Sequence, residues 1–183
     1  LSAGSTPPRS RCPSPYRTLA VLETFMRSFL LLPLLSGCFA GNLGGAIGNG
    51  KVITDTRSVE QWSQLQVEGG ISVEVSREPA GGVTVRTDSN LVDAIETSVD
   101  GTTLVVKVRD GELIGVVTDL RVVASSDTLN AVTASGGSAV EATFASADAV
   151  QLVASGGSTI QAEALQSDAV VAGLSGGSVV HLA

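Results

Sequence analysis

The sequence predicts an all-β protein whose later half is a parallel β-helix with coils of about 20 residues. Three observations carry this. Ser-Gly-Gly-Ser occurs at Ser135–Ser138, Ser155–Ser158 and Ser175–Ser178, 20 residues apart each time. Apolar residues alternate with polar ones over the short segments between and before these sites, the period of a half-buried strand. The 183 residues include 21 Gly but only four Phe, one Trp and one Tyr. A core lacking aromatics must be filled by Val, Ile, Leu and Ala, which suits closely stacked β-layers.

The repeat defines its own inward and outward positions. Counted from Ser135, Ser155 and Ser175, the fifth residue on is Val140, Ile160 or Val180, and the seventh is Ala142, Ala162 or Leu182. The sixth, on the opposite face, is Glu141, Gln161 or His181. One and three residues before the serine stand Ala134, Ala154 or Leu174 and Val132, Leu152 or Ala172. Two short strands per unit, stacked about 4.8 Å apart, would line these residues up as core columns. Ser135, Gly136, Gly137 and Ser138, with their counterparts at 155–158 and 175–178, are then the corners of successive coils. Paired glycines permit positive φ there, and the serines can hydrogen-bond locally. Leu120–Val132 reads as a degenerate preceding coil with one extra residue.

Upstream, Leu65-Gln66-Val67, Ile71-Ser72-Val73-Glu74-Val75, Val83-Thr84-Val85-Arg86 and Leu104-Val105-Val106-Lys107-Val108 alternate as strands. Gly69-Gly70, Pro79-Ala80-Gly81-Gly82 and Asp100-Gly101 separate them as turns. Asn90–Thr97 is read as one helical turn or an irregular crossing. No segment has the length and 3.6-residue period of an amphipathic helix.

Several of these stretches, in this order, resemble the bacterial head GIN domain family, named as auto-transporter adhesins by analogy. They are Trp62-Ser63-Gln64-Leu65-Gln66-Val67-x-Gly69, Ile71–Val75, Asp88-Ser89-Asn90-Leu91-Val92, Gly101–Val106 and the Ser-Gly-Gly-Ser units. The resemblance covers about Gly50 to Ala183. It implies a single-stranded right-handed parallel β-helix, often on secreted or lipid-anchored proteins, with a largely undefined molecular activity. Family members often continue further than this chain, whose last coil stops half-way at His181-Leu182-Ala183. That end carries no polar cap, so the sequence is either truncated there or covered by a partner, including another copy of itself.

The amino-terminal part reads as an address. Residues 1–25 are a disordered leader or a mis-assigned start, rich in Pro, Ser and Arg. Met26-Arg27 and the apolar run Phe29–Leu35 then lead to Leu35-Ser36-Gly37-Cys38, over a span (26–37) that makes a signal peptide. Seven apolar residues are too few to span a bilayer. The ending resembles the bacterial lipoprotein box, with cleavage between Gly37 and Cys38 and lipidation of Cys38. A start near Leu19 to Leu22 would lengthen a short signal. Phe39, not Asp, follows the cysteine, which by the retention rule favours the outer over the inner membrane. Residues 38–51 are expected to be a Gly-rich tether and 52–183 the domain. Gly45-x-x-x-x-Gly50-Lys51 meets the phosphate-loop spacing superficially, but Val52 replaces the hydroxyl residue and no strand precedes it.

Charge excludes one class of partner. Residues 1–37 carry four Arg against Glu23, net +3, whereas from Cys38 on there are 7 basic and 17 acidic residues, net −10. Such a surface is repelled by polyanions, nucleic acid and anionic membrane faces alike. Both cysteines, Cys12 and Cys38, precede the domain, so it has no disulfide and no thiolate zinc site. Asp148 and Asp168 are expected one rung apart, with Glu141 and Glu163 elsewhere on the surface. A carboxylate pair suits glycan cleavage or Ca²⁺ binding. Acids fixed by a repeat more simply accept backbone N–H groups where strands begin, and no basic residue recurs beside them. His181 lacks other N or S donors for a metal, and Trp62 is assigned to capping the first layer of core. No catalytic, metal or cofactor residues are assigned. The expectation is a non-enzymatic, lipid-anchored envelope protein binding a protein or glycan, with self-association through the last coil open. A β-helix polysaccharide-active enzyme is the alternative, as is a self-assembling structural protein.

Overall fold

Thirteen strands and a single 3-10 turn, Val92–Ala94, make up the regular structure among the described residues. The structure, a computed structural model, describes residues 45–183 except Ala80 and Ala145. The signal peptide and Cys38 lie outside the described residues. The strands are β1 (Val52–Arg57), β2 (Gln64–Val67), β3 (Ser72–Ser76), β4 (Val83–Asp88), β5 (Ile95–Asp100), β6 (Thr103–Val108) and β7 (Leu120–Ser125). They continue as β8 (Ala131–Ala134), β9 (Ala139–Thr143), β10 (Ala147–Ala154), β11 (Thr159–Glu163), β12 (Ser167–Leu174) and β13 (Val179–Leu182).

These strands form two mixed sheets, one of seven strands in the order β1-β4-β7-β3-β9-β11-β13 and one of six in the order β12-β10-β8-β2-β6-β5. From β7 to β13 and from β6 to β12 every neighbour is parallel. At the other end β1, β4 and β7 run antiparallel, as do β5 and β6.

The 20-residue spacing is the pairing register. Val132 lies beside Leu152 and that beside Ala172, while Val140 lies beside Ile160 and that beside Val180. Strict alternation sends one side chain of each pair inward. Leu104, Leu65, Val132 and Leu152 form one buried column; Val85, Val122, Val73, Val140 and Ile160 form another. Residues of both sheets share one hydrophobic cluster, which also takes in Trp62 and Phe144.

The corner explains the glycines. Gly136, Gly156 and Gly176 have φ of 68°, 63° and 62°, and their partners Gly137, Gly157 and Gly177 have φ of 80°, 81° and 78°. A Cβ on Gly156 would sit 3.2 Å from the Gly136 backbone nitrogen, and one on Gly176 would sit 3.1 Å from that of Gly156. The first glycine of each pair is therefore fixed twice, by dihedral and by the coil beneath it. The second is fixed by dihedral alone, since nothing lies within 4 Å of a Cβ there. The closing serine of each unit, Ser138, Ser158 or Ser178, donates its hydroxyl to the carbonyl of Ser135, Ser155 or Ser175 at 2.7–2.8 Å. Ser178 Oγ also accepts from the Ser158 backbone N–H, 3.2 Å away.

Three expectations are corrected. Leu120–Val132 is not the coil beneath Ala131–Thr143; β2 and β3 occupy that place, between β6 and β8 and between β7 and β9. Gly69-Gly70 (φ 88° and 76°) is consequently the first corner of the same column, with a Cβ on Gly136 meeting the Gly69 nitrogen at 3.1 Å. Trp62, just before β2, is buried in the middle of the stack and does not cap a first layer. The crossing after Asn90 is shorter than expected, because Ile95–Asp100 is a strand.

A fourth correction concerns the tether expected over residues 38–51. From Gly45 on it is docked to the domain. Ala46 bridges Ile114, and the Ala46 and Gly48 N–H groups donate to the Leu113 and Val116 carbonyls at 2.6 and 2.8 Å. The phosphate-loop-like glycines have packing reasons: a Cβ on Gly45 would lie 2.6 Å from the Gly115 nitrogen, and one on Gly48 would overlap the Asp88 carboxylate.

The corner predicts an asymmetry between adjacent glycines. Gly157→Ala is expected to cost about 1–3 kcal/mol, the usual cost of a non-glycine residue in a sparsely populated backbone region. Gly156→Ala adds displacement of the coil below and is expected to lower the thermal midpoint further. Equal midpoints for the two variants would contradict the stacking account.

Candidate functional site

The outer face of the seven-stranded sheet carries two parallel rows of side chains, fixed by register. One row runs Arg86, Arg121, Ser72, Ala139, Thr159, Val179; the next runs Thr84, Val123, Glu74, Glu141, Gln161, His181. Small residues form the floor in the middle of the first row, and longer polar ones stand along the second. Together they bound a shallow depression of about 240 Å³ that includes Ser72, Glu74, Arg121, Glu141, Thr159 and Gln161.

Its electrostatics are uneven. Glu74 and Glu141 are direct cross-strand partners, and like charges in that position repel. The Arg121 guanidinium reaches Glu74 at 3.7 Å, and Arg86 is taken up by Asp119 at 2.7 Å. Among the described residues Glu141 has no cation within ion-pair distance. The face can therefore accept a positive or hydrogen-bonding group from outside.

The sequence-predicted candidates are distributed around this face and away from it. Glu141, Gln161 and His181 are adjacent and exposed, as expected. Asp148 and Asp168 are exposed and flanked by the register pairs Ala147–Ser167 and Ala149–Ala169, in the six-stranded sheet. Ser167, rather than Asp168, makes the local turn bonds, donating to the Ala169 carbonyl at 2.7 Å and accepting from its N–H at 3.3 Å. Glu163 accepts from Gln161 Nε2 at 3.1 Å. Trp62 is buried with its Nε1 unpaired by protein, while its carbonyl accepts from Ser126 Oγ at 2.8 Å. Among the described residues no three His, Cys, Asp or Glu side chains are grouped so as to hold a metal ion, and no helix is long and apolar enough to cross a membrane.

Sequence reading missed two features. Glu74 was not placed beside Glu141, although each stands four residues after the second glycine of its corner. Aligning Gly69-Gly70 on Gly136-Gly137 exposes the pair. The other is Asp88, fully buried at the end of β4. Its carboxylate accepts from the Gly50 N–H at 2.7 Å, the Thr118 N–H at 2.8 Å and the Thr118 hydroxyl at 3.0 Å. Asn90 Oδ1 accepts from the Asn49 N–H, and Asn90 Nδ2 donates to the Ile47 carbonyl. The Asp88-Ser89-Asn90 motif is thus a clamp on residues 47–51. The Thr118 N–H holds the Asp88 pKa below its ordinary value of 3.8, against the opposing effect of burial and with help from the Thr118 hydroxyl and the Gly50 N–H. At the β5–β6 edge, Asp110 raises the Lys107 pKa by accepting from Nζ at 2.9 Å, with Glu96 adding attraction.

The fold is that of an all-β protein built from two mixed, largely parallel sheets. The chain belongs to the family described as "Putative auto-transporter adhesin, head GIN domain", whose model matches residues 61–183. Among solved structures it is similar to an adhesin-described protein of Parabacteroides merdae ATCC 43184, at TM-score 0.65 and 19% identity, covering 75% of this chain and 58% of that one. It is also similar to a protein of Parabacteroides distasonis ATCC 8503 described as a lipid binding protein (TM-score 0.56, 19% identity, 70% of this chain and 65% of that one). A second protein of that organism, described as an adhesin, matches at TM-score 0.52 and 21% identity, over 68% of this chain and 62% of that one. The chain thus spans about three fifths of the length of these structures. No curated protein matches it.

Two outcomes follow. A group whose folded pKa is lowered stabilises above its unfolded pKa, and that stability is lost as pH falls through the folded value. Amide protection at Ala46, Gly48, Gly50 and Thr118 should therefore hold at neutral pH and fall below pH 3.8. Asp88→Ala should abolish it at all pH values, and retained protection in that variant would refute the clamp. Glu141→Gln removes the like-charge contact with Glu74 and should raise stability by about 0.2–1 kcal/mol in denaturant titration; a loss would mean that the two carboxylates are not in repulsion.

Proposed function

We propose that this is a non-enzymatic envelope protein, lipid-anchored at Cys38, whose β-domain binds a partner through the outer face of the seven-stranded sheet. The observation that carries the reading is the polar row Glu74, Glu141, Gln161 and His181 beside a floor of Ser72, Ala139 and Thr159. A flat ladder of hydrogen-bonding groups with an unpaired carboxylate suits a protein or glycan surface better than a small enclosed substrate. Family membership supports an adhesin-like, cell-surface or envelope setting. We take the paired strands as a right-handed parallel β-helix, and Phe39 after Cys38 as favouring the outer membrane.

A second reading rests on the far end of the stack. Val170, Leu174 and Leu182, in register with buried residues of the preceding strands, are 38%, 50% and 54% exposed. Strands β12 and β13 each pair on one side only. Further coils or a second copy stacking there would cover both the apolar side chains and the free strand edges.

Wild type should take up a lipid label and fractionate with envelope membranes, and Cys38→Ala should lose both. A soluble, unlabelled wild type would end the anchored reading. On protein and glycan arrays, the Glu74→Lys/Glu141→Lys double variant should lose a substantial part of binding. Unchanged binding would move the site off this face.

A further inference from the structure

We propose that residues 45–48 and 113–116 form a membrane-contact patch, laying the domain on a lipid surface beside its own anchor. Val116, Ile47 and Leu113 are 71%, 68% and 65% exposed, the most exposed large hydrophobic side chains among the described residues. They belong to two short segments that pair with each other through the Ala46–Ile114 bridge. Close approach of Gly45 and Gly115 permits this pairing, since a Cβ on either would crowd the other backbone at 2.6 or 3.1 Å. Ile114 packs against the core. Alternation at the bridge therefore turns its neighbours Leu113 and Ile47 away from the protein, while Val116 is exposed just beyond the bridge.

The proposal rests on lipidation of Cys38, which commits the occupant to a bilayer. Only residues 39–44 separate Cys38 from Gly45, a reach of at most about 25 Å even fully extended. Whatever this patch touches lies within that distance of the anchor. The connecting chain has the same character: no charged residue occurs between Cys38 and Lys51. Asp88, whose carboxylate lies against Gly48, is buried and held by the Gly50 and Thr118 N–H groups and the Thr118 hydroxyl, and the acids flanking residues 113–116 in sequence are paired with cations. Asp110 pairs with Lys107 at 2.9 Å, Glu112 with Arg109 at 3.6 Å, and Asp119 with Arg86 at 2.7 Å. An acidic domain thus presents, near its attachment point, an apolar spot whose one unpaired carboxylate, Asp88, is buried beneath it, which suits zwitterionic phospholipid. Far from this spot, at the opposite end of the sheet order from β1, is β13 with His181.

Trp62, the one tryptophan of the chain, is buried and gives a constant emission, so an added indole is read as the difference from the parent chain in the same vesicles. The full chain, lipidated at Cys38, is placed in phosphatidylcholine/phosphatidylethanolamine vesicles with brominated acyl chains. Leu113→Trp emission should shift to the blue and fall roughly twofold, as expected for a side chain sunk about 5–10 Å into the headgroup and acyl boundary. His181→Trp should be unaffected, and adding Ile47→Asp and Val116→Asp should reverse the Leu113→Trp effect. With the lipid label present, quenching of Leu113→Trp no greater than that of His181→Trp overturns the patch and leaves the anchor standing. A blue shift without quenching also overturns it, since the patch is then covered by protein, such as a second copy. Absence of the lipid label from Cys38 overturns the anchor and with it the patch.

Discussion

The stack depends on backbone meeting backbone at one corner. Gly69, Gly136, Gly156 and Gly176 lie over one another so closely that a Cβ on any of the upper three would crowd the nitrogen of the one below, at 3.1–3.2 Å. Only a residue without a side chain fits, and only one tolerant of positive φ turns the chain there. Once that column closes, the strands on either side are brought into parallel register. The inward Val, Leu, Ile and Ala columns then follow from alternation. The closing serines tie each corner to itself and to its neighbour, so that buried polar groups at a sharp turn are satisfied.

The order of strands in space differs from their order in sequence at one point, and that point governs what could be read from sequence. From Ala131 onward each coil stacks on its predecessor, so a period of 20 residues exposes corners, core columns and the outward row Glu141, Gln161 and His181. Before it, the chain completes β2 and β3, leaves to build β4 to β7 on their far side, and returns with β8 and β9 on the near side. The insertion lengthens the interval between stacked corners and hides the Glu74–Glu141 pair from a fixed-period reading. Docking of residues 45–51 was illegible for another reason. Glycine and asparagine are the composition of a flexible linker, and only the buried Asp88 carboxylate, whose partners come from two distant loops, makes them a fixed strap. Ile95–Asp100 was obscured because its inward positions alternate only partly, giving a weak period-2 signal.

Electrostatics distinguish the two sides of the molecule. On the outer sheet face Arg86 opposes Arg121 and Glu74 opposes Glu141, an arrangement that sequence-neighbour rules do not select against because the partners lie far apart in the chain. Repulsion within each pair is only partly relieved by the Arg121–Glu74 and Arg86–Asp119 contacts. A surface that carries such a cost without a structural return is a candidate for recognition. At the β5–β6 edge, by contrast, Lys107 and Arg109 alternate with Glu96, Asp110 and Glu112 in mutual ion pairs. Charges there blunt an edge strand and leave little net field.

The two ends of the stack are built on opposite principles. At one, antiparallel β1 and β4, the 3-10 turn, the Asp88 clamp and the docked strap close over the core, and Asp88, Leu91 and Ile95 are all buried. At the other, the residues in register with the buried columns stand open. A further unit stacking there would cover those side chains. The closed end carries the segment that leads back to Cys38. A stack closed at one end and open at the other has a direction. The polar row from Glu74 to His181 runs along that direction, away from the closed end.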